Sequence, residues 1–268
     1  MYPDLRVGLV LSGGAARGIA HLGVFKALEE NRIPVHAISG TSAGAIAGAF
    51  YAAGISIQKM IEFVDDSSLF NLFSLKLPNK GLTDLSYLRR KIKQYIPHNS
   101  FEKLNLPLTV ALSNLNTGEI NYFDSGELDE VIAASCAIPL LFRPIHIQGQ
   151  TYVDGGLLAN APVQPLVGSC DFIITINLVP QVELEHHELS SIFHIAQRCF
   201  DLAALNNIKP QLRQSHVIIE PPQLKKISRF SLNRSREIFE LGYEETQAKI
   251  DFIRSRMDVV MEMKGMEG

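Results

Sequence analysis

The sequence predicts an α/β fold: a three-layer sandwich with a largely parallel central sheet. Two observations carry this. Short apolar runs of strand length alternate with helix-length segments along the chain. Glycine-rich turns, at 12–18 and again at 40–44, join a strand to a helix. The 268 residues suffice for one large α/β domain with a sizeable core. They read as a single domain over 1–268, with a motif-bearing core at about 5–180 and a mostly helical part at about 187–264.

The elements follow in order. Residues 7–11 are an apolar run that stops at Ser12-Gly13-Gly14, a buried strand ending in a tight turn. Over 16–30 the apolar positions Ile19, Leu22, Val24, Phe25, Ala27 and Leu28 suit a helix lying on a sheet. A second strand is expected at 34–38. Its exit is 40–44, followed by a small-residue helix at 45–53 closed by Gly54. Asp84 is placed to cap a helix running to about Tyr95. Residues 108–112 and 119–123 read as paired strands around Thr117-Gly118. Ser125 is placed to cap a helix over 127–136. A brief strand at 151–153 precedes Asp154-Gly155-Gly156, and Pro162 sits where a helix can begin. The most strand-like stretch is 172–178, and 217–219 is another strand. Residues 190–206 and 234–261 read as helices.

Composition narrows the function classes. Apolar residues make up 46% and charged residues 20%, the balance of an ordinary soluble globular protein. Net charge is −3, so no basic excess points to nucleic acid. Cys136, Cys170 and Cys199 are too scattered for a disulfide framework, and none forms a CxxC pair. No metal or cofactor is implied. The first residues lack the pattern of a secretory leader, and no apolar run reaches spanning length, so a cytoplasmic location is expected.

The chemistry centres on Ser42, in Gly40-Thr41-Ser42-Ala43-Gly44. A serine hydroxyl needs a base within reach and an oxyanion site nearby. Gly-x-Ser-x-Gly between a strand and a small-residue helix holds a serine on a sharp turn, with Gly40 and Gly44 letting backbone and substrate approach. The earlier turn, Ser12-Gly13-Gly14-Ala15-Ala16-Arg17-Gly18, can aim backbone N–H groups at an anion. It lacks the Lys-Ser/Thr ending of a nucleotide P-loop and, with Ala15 in third place, is not G-x-G-x-x-G. An oxyanion loop beside Ser42 fits better, since successive parallel strands bring both turns to one sheet edge. Asp154, in Asp154-Gly155-Gly156, also follows a strand.

At these residues the sequence resembles the patatin-like phospholipase family. The order Gly13 to Gly18, Gly40 to Gly44 and Asp154 to Gly156 matches that family's glycine loop, serine turn and Asp-Gly-Gly turn. The segment Ala134-Ser135-Cys136-Ala137-Ile138-Pro139 also looks like the family's, and the resemblance covers roughly 5–180. One departure is Ala15, where the family has a third glycine. If that position needs φ > 0, the methyl group imposes strain. The resemblance implies a patatin-like fold and a Ser42–Asp154 dyad without histidine. Ser42 would be the nucleophile and Asp154 the general base. Backbone N–H groups from about Gly13 to Ala16 would hold the oxyanion, with Arg17 fixing the loop. It also implies an acyl-ester lipid as substrate, cleaved in the manner of a phospholipase A, lysophospholipase or carboxylesterase.

A triad remains a competing arrangement, because His186, His187, His194 and His216 all follow Asp154. None sits in a recognisable post-strand turn, and His21 is expected to pack or cap. Residues 68–77, with Phe70 and Phe73, form a candidate lid or acyl-entry surface, or else core. The stretch 234–261 reads as a helix laying one face on the domain, or as a membrane-surface helix. Peripheral contact with the inner face of the membrane is therefore one expectation. Two alternatives from other classes stay open: a catalytically silent adaptor in the same fold, and a phosphate- or nucleotide-binding protein using Gly13 to Gly18.

Overall fold

The computed structural model describes residue 2 and residues 4–65, 84–229 and 231–267. The expected lid at 68–77 lies outside the described residues. The fold is the expected α/β sandwich. Among the described residues, eight strands form one mixed sheet: β1 (Val7–Leu11), β2 (Ala37–Gly40), β3 (Leu108–Asn114), β4 (Ile120–Phe123), β5 (Ile145–Ile147), β6 (Gln150–Asp154), β7 (Phe172–Ile176) and β8 (Val217–Ile219). The pairs β3–β2, β2–β1, β1–β7 and β7–β8 are parallel. Strands β4, β5 and β6 are added antiparallel.

Alternation along the strands divides the core into two layers. Val7, Leu9, Leu11, Ile38, Phe172 and Ile174 point to one face. That face is covered by α1 (Ala20–Glu30), α2 (Ala43–Ala52), α3 (Ile57–Val64), α4 (Ser86–Tyr95), α5 (Leu128–Ser135) and α7 (Ser235–Glu267). Val10, Ala37 and Ile173 point to the other, where they meet Val163 and Leu166 of the 161–170 segment and Ile208 of α6 (Ile192–Leu212). Each such Leu, Ile or Phe contributes roughly 1.5–3 kcal/mol by leaving water. The C-terminal helix α7 packs one face against α1 and the core, burying Ile238, Ile250, Ile253 and Met257.

One detail of register positions the chemistry. Val110 of β3 pairs with Gly40 on one edge and with Phe123 on the other. Leu112 pairs with Asn121 of β4 and with Asp154 of β6. Strands β2 and β6 therefore share a single edge of β3 and run toward each other. Their C-terminal ends, Gly40 and Asp154, meet there with only Ala111 of β3 between their partners.

Several boundaries differ from the sequence reading. Strand β2 lies at 37–40 rather than 34–38. Pro34 has no N–H for the ladder, and the Val7 N–H is instead taken by the His36 ring at 2.9 Å. The helix expected from 16 starts as a 3₁₀ turn, Ala15–Ile19, before α1. Pro162 opens no helix; only a 3₁₀ turn at Gln164–Leu166 follows. The helix expected from Ser125 begins at Leu128, with Glu127 at its cap position. Helix α3 and strand β5 were not anticipated. The first is amphipathic and capped by Ser56, whose Oγ accepts the Lys59 N–H. The second is closed onto β6 by Gln148 and Gly149, both in positive φ.

Candidate active site

Ser42 follows the end of β2 and immediately precedes α2, in a strained backbone conformation (φ 53°, ψ −122°). A non-glycine residue there costs on the order of 1–3 kcal/mol and persists only when its surroundings hold it. Three hydrogen bonds do so. The Thr41 N–H donates to the Leu11 carbonyl (3.1 Å) and the Thr41 hydroxyl to the Ala159 carbonyl (2.8 Å). The Ser42 N–H donates to Ser135 Oγ (2.9 Å). Gly44 permits the turn to lie on β1: a Cβ at Gly44 would stand 2.2 Å from the Leu11 carbonyl oxygen.

Asp154 reaches Ser42 through the head-on meeting of β2 and β6. In the gap between the two strand ends, the Ala111 carbonyl has no strand partner and accepts the Ser135 hydroxyl instead (2.8 Å). Gly155 fits over that carbonyl, since a Cβ there would stand 2.2 Å from it. The Asp154 carboxylate accepts the Gly156 N–H (2.7 Å) and lines the same small chamber as Ser42. Both side chains are buried, Ser42 at 6% exposure and Asp154 at 2%. Burial raises the Asp154 pKa from the ordinary 3.8 to about 6, opposed by the neighbouring Ser42 hydroxyl, the Gly156 N–H and the charge of Arg229. The carboxylate is thus still charged near neutrality, and a far better proton acceptor than a free aspartate. Cys136 lies in the wall of the apolar cavity beside Ser42. Burial and the nearby Asp154 charge push its thiol well up, so it stays protonated.

The glycine-rich turn lies against both. A Cβ at Gly13 would be 3.3 Å from Ser42 Cβ. Its N–H groups are not equally available, which narrows the expected donor set. Gly13 donates to the Asn160 carbonyl (3.0 Å), Ala16 to the Arg229 carbonyl (2.8 Å) and Arg17 to the Gly14 carbonyl (3.1 Å). Gly18 lies inside the 3₁₀ turn. The N–H groups of Gly14 and Ala15 have no such partner among the described residues. Both residues line the small chamber that contains Ser42 and Asp154. Ala15 has φ 49°, so the strain expected of a methyl group at that position is present. Arg17 is buried, and its Nε and Nη2 donate to the Ile227 carbonyl (2.9 and 2.7 Å). Burial and the neighbouring Arg229 lower its pKa to about 10. With its fork spent on backbone, Arg17 fixes the loop, and two free N–H groups are few for cradling a nucleotide's phosphates.

Several site residues escaped the sequence reading. Asn160 Nδ2 donates to the Gly13 carbonyl (3.4 Å), tying the loop to the Asp-Gly-Gly turn. Asn207 of α6 holds that turn through the Gly156 and Leu157 carbonyls (3.0 and 3.1 Å) and accepts the Asn160 N–H (2.8 Å). Arg229, paired to Asp201 of α6, lines the chamber. Isolated polar residues far along the chain carry no pattern that would flag them.

An apolar cavity opens from Ser42 between the glycine loop, α2 and α3. Ile19, Leu22, Ile46, Ala47, Phe50 and Met60 are among its walls. Histidine lines neither this cavity nor the chamber. His21 is fully buried with its Nε2–H on the Ser12 carbonyl (2.9 Å), and burial lowers its pKa to about 4, so it is neutral and packs as expected. His216 receives the Ile173 N–H and stacks on Phe172. His194 faces a separate groove, and His186 and His187 are exposed. Among the described residues no cluster could hold a metal ion, and no helix is long and apolar enough to cross a membrane.

The family model for patatin-like phospholipase matches residues 9–167. An uncharacterised NTE family protein of Mycobacterium tuberculosis is 33% identical over 180 residues, which is 65% of this chain and 49% of that protein. A lysophospholipase of Aspergillus fumigatus is 34% identical over 179 residues, 64% of this chain and 12% of that protein. The match thus spans about half the length of that mycobacterial relative, and 29% of the length of a second NTE family protein of the same organism. Among solved structures, VipD from Legionella pneumophila superposes with a TM-score of 0.53 over 93% of this chain and 67% of that one, at 16% identity. The ExoU–SpcU complex of Pseudomonas aeruginosa gives 0.50 over 96% of this chain and 52% of that one, also at 16%. At that identity the likeness is one of fold. With strands β1 to β6, the serine turn and the Asp-Gly-Gly turn inside or overlapping the matched region, the chain belongs to the patatin-like phospholipase family.

Proposed function

We propose that the chain is a serine acyl hydrolase that cleaves ester bonds of lipids through Ser42 and Asp154. The observation that carries this reading is that Ser42 and the buried Asp154 carboxylate line one small chamber, at the inner end of an apolar cavity that no histidine lines. The cavity suits an acyl chain, with the carbonyl over Ser42. Ser42 Oγ attacks the carbonyl carbon as its proton passes to Asp154. The oxyanion is met by the N–H groups of Gly14 and Ala15. Asp154 returns the proton to the departing alkoxide, leaving the acyl group on Ser42. A water, deprotonated by Asp154, then attacks the ester, and Ser42 leaves as the alcohol.

The relative named as a lysophospholipase supports a lipid ester as substrate. We place the whole chain in one functional unit, because Asn207 and Arg229 from its later part hold the two turns of its earlier part. Peripheral contact with the inner face of the membrane belongs to the same reading. Ile192, Ile195 and Leu202 turn an exposed apolar stripe outward along α6. The test is hydrolysis of palmitoyl lysophospholipid and of a short soluble ester by the wild type and by Ser42→Ala. Turnover of both that vanishes in the variant is expected. Equal turnover by the two proteins would overturn the reading.

A further inference from the structure

The two sides of Ser42 differ in chemistry. On one side lies the apolar cavity. On the other, the chamber shares Val179 and Arg229 with a wide groove between α6 and the 225–229 segment. Cations dominate this groove: Arg198, Lys225, Lys226 and Arg229 face it, against the carboxylates Glu183 and Asp201. Arg17 also lines it, but its guanidinium is held by the Ile227 carbonyl. Arg229 is the cation closest to the chemistry, being the one of these four that also lines the chamber. Its side chain is 15% exposed, and it pairs with Asp201 through Nη1 at 2.5 Å. An arginine offers five N–H donors, and this one side-chain contact among the described residues leaves donors to spare. Lys225 and Lys226 stand exposed at the outer end.

An ester seated with its acyl chain in the apolar cavity must send its alcohol portion the other way, past Arg229. Resting on the reading of Ser42 as the acylated residue, we propose that this groove binds a phosphate carried by the leaving alcohol. Arg229, Lys225 and Lys226 then set a preference for acyl esters of phosphate-bearing alcohols over neutral glycerides. Arg229 supplies the strong contact because it is largely out of water and its fork matches phosphate oxygens. The two lysines add attraction that salt screens.

The experiment compares kcat/KM on 1-palmitoyl-glycerol 3-phosphate and on 1-monopalmitoylglycerol. The wild type is expected to favour the phosphate ester by at least about tenfold, less at high salt, and K225E/K226E to lose most of that ratio. The double variant R229Q/D201N, which removes the buried pair together, is expected to lose it further. Competition by sn-glycerol 3-phosphate but not by glycerol, measured on the wild type alone, makes the same test without a variant. Turnover of both lipids with no preference overturns the headgroup proposal and leaves the hydrolase reading intact. Inorganic phosphate that competes while the lipids are not distinguished overturns it too, as a site for free phosphate. Turnover of neither lipid overturns the hydrolase reading and this proposal with it.

Discussion

The backbone N–H of Ser42 rests on the hydroxyl of Ser135 at 2.9 Å, and Ser135 in turn donates to the Ala111 carbonyl at 2.8 Å. One buried hydroxyl thereby ties the strained serine turn to β3, the strand against whose edge Asp154 of β6 is paired. Ser135→Ala strands a buried N–H and a buried C=O, each costing roughly 1–3 kcal/mol. A drop of about 3 kcal/mol in unfolding free energy is expected, with kcat on a short ester falling about tenfold or more and KM little changed. Denaturant unfolding and steady-state kinetics check both.

Asp154 links activity and stability to pH in opposite senses. Its carboxylate is needed as base, so kcat/KM should rise with pH through about 6 and then level off. Its folded pKa is raised from 3.8, so the folded state binds the proton more tightly than the unfolded one. That stabilisation is full below about 3.8 and is lost as pH rises through about 6. The displacement corresponds to about 3 kcal/mol. Asp154→Asn should therefore be inactive yet melt higher than wild type at pH near 8, with the gap closing near pH 4. Thermal melts across that range decide it.

Ala15 holds φ 49° in the glycine loop. Glycine there relieves roughly 1–2 kcal/mol of left-handed strain but adds freedom to the unfolded chain. Ala15→Gly should keep wild-type turnover and stabilise by about 0.5 kcal/mol. Ala15→Val, branched at Cβ, should lose both stability and turnover. Melting temperature and rate on a short ester are the readouts.

Ile46 of α2 is partly exposed and lines the apolar cavity. Ile46→Trp should fill it. Turnover of a palmitoyl ester is expected to fall about a hundredfold and that of an acetyl ester to change by less than about threefold. A chain-length series on both proteins measures this, and equal loss at every length would place the acyl chain elsewhere.

The parts of the site that the sequence exposes are those built from local pattern. The glycine turns and Ser42 follow apolar strands, so their place at one sheet edge follows from parallel topology. Asp154 is subtler. It arrives on an antiparallel strand that shares an edge of β3 with β2, and no periodicity encodes that register. Ser135, Asn160, Asn207 and Arg229 act through hydrogen bonds or ion pairs across long chain separations. The start of β2 differs from the expectation because Pro34 and Val35 have strand-like composition, while the ladder begins only at Ala37. Helix α6 runs six residues past its expected end, since Ile208 still has a sheet face to cover.

The central claim is that Ser42 is a nucleophile activated by Asp154 without histidine. Labelling the folded chain with a fluorophosphonate, followed by peptide mapping, tests it directly. The label is expected on Ser42 in the wild type and in each single His→Ala variant, absent in Ser42→Ala and strongly slowed in Asp154→Asn. A label on another residue, no label on the folded wild type, or a histidine variant as inert as Ser42→Ala would contradict it.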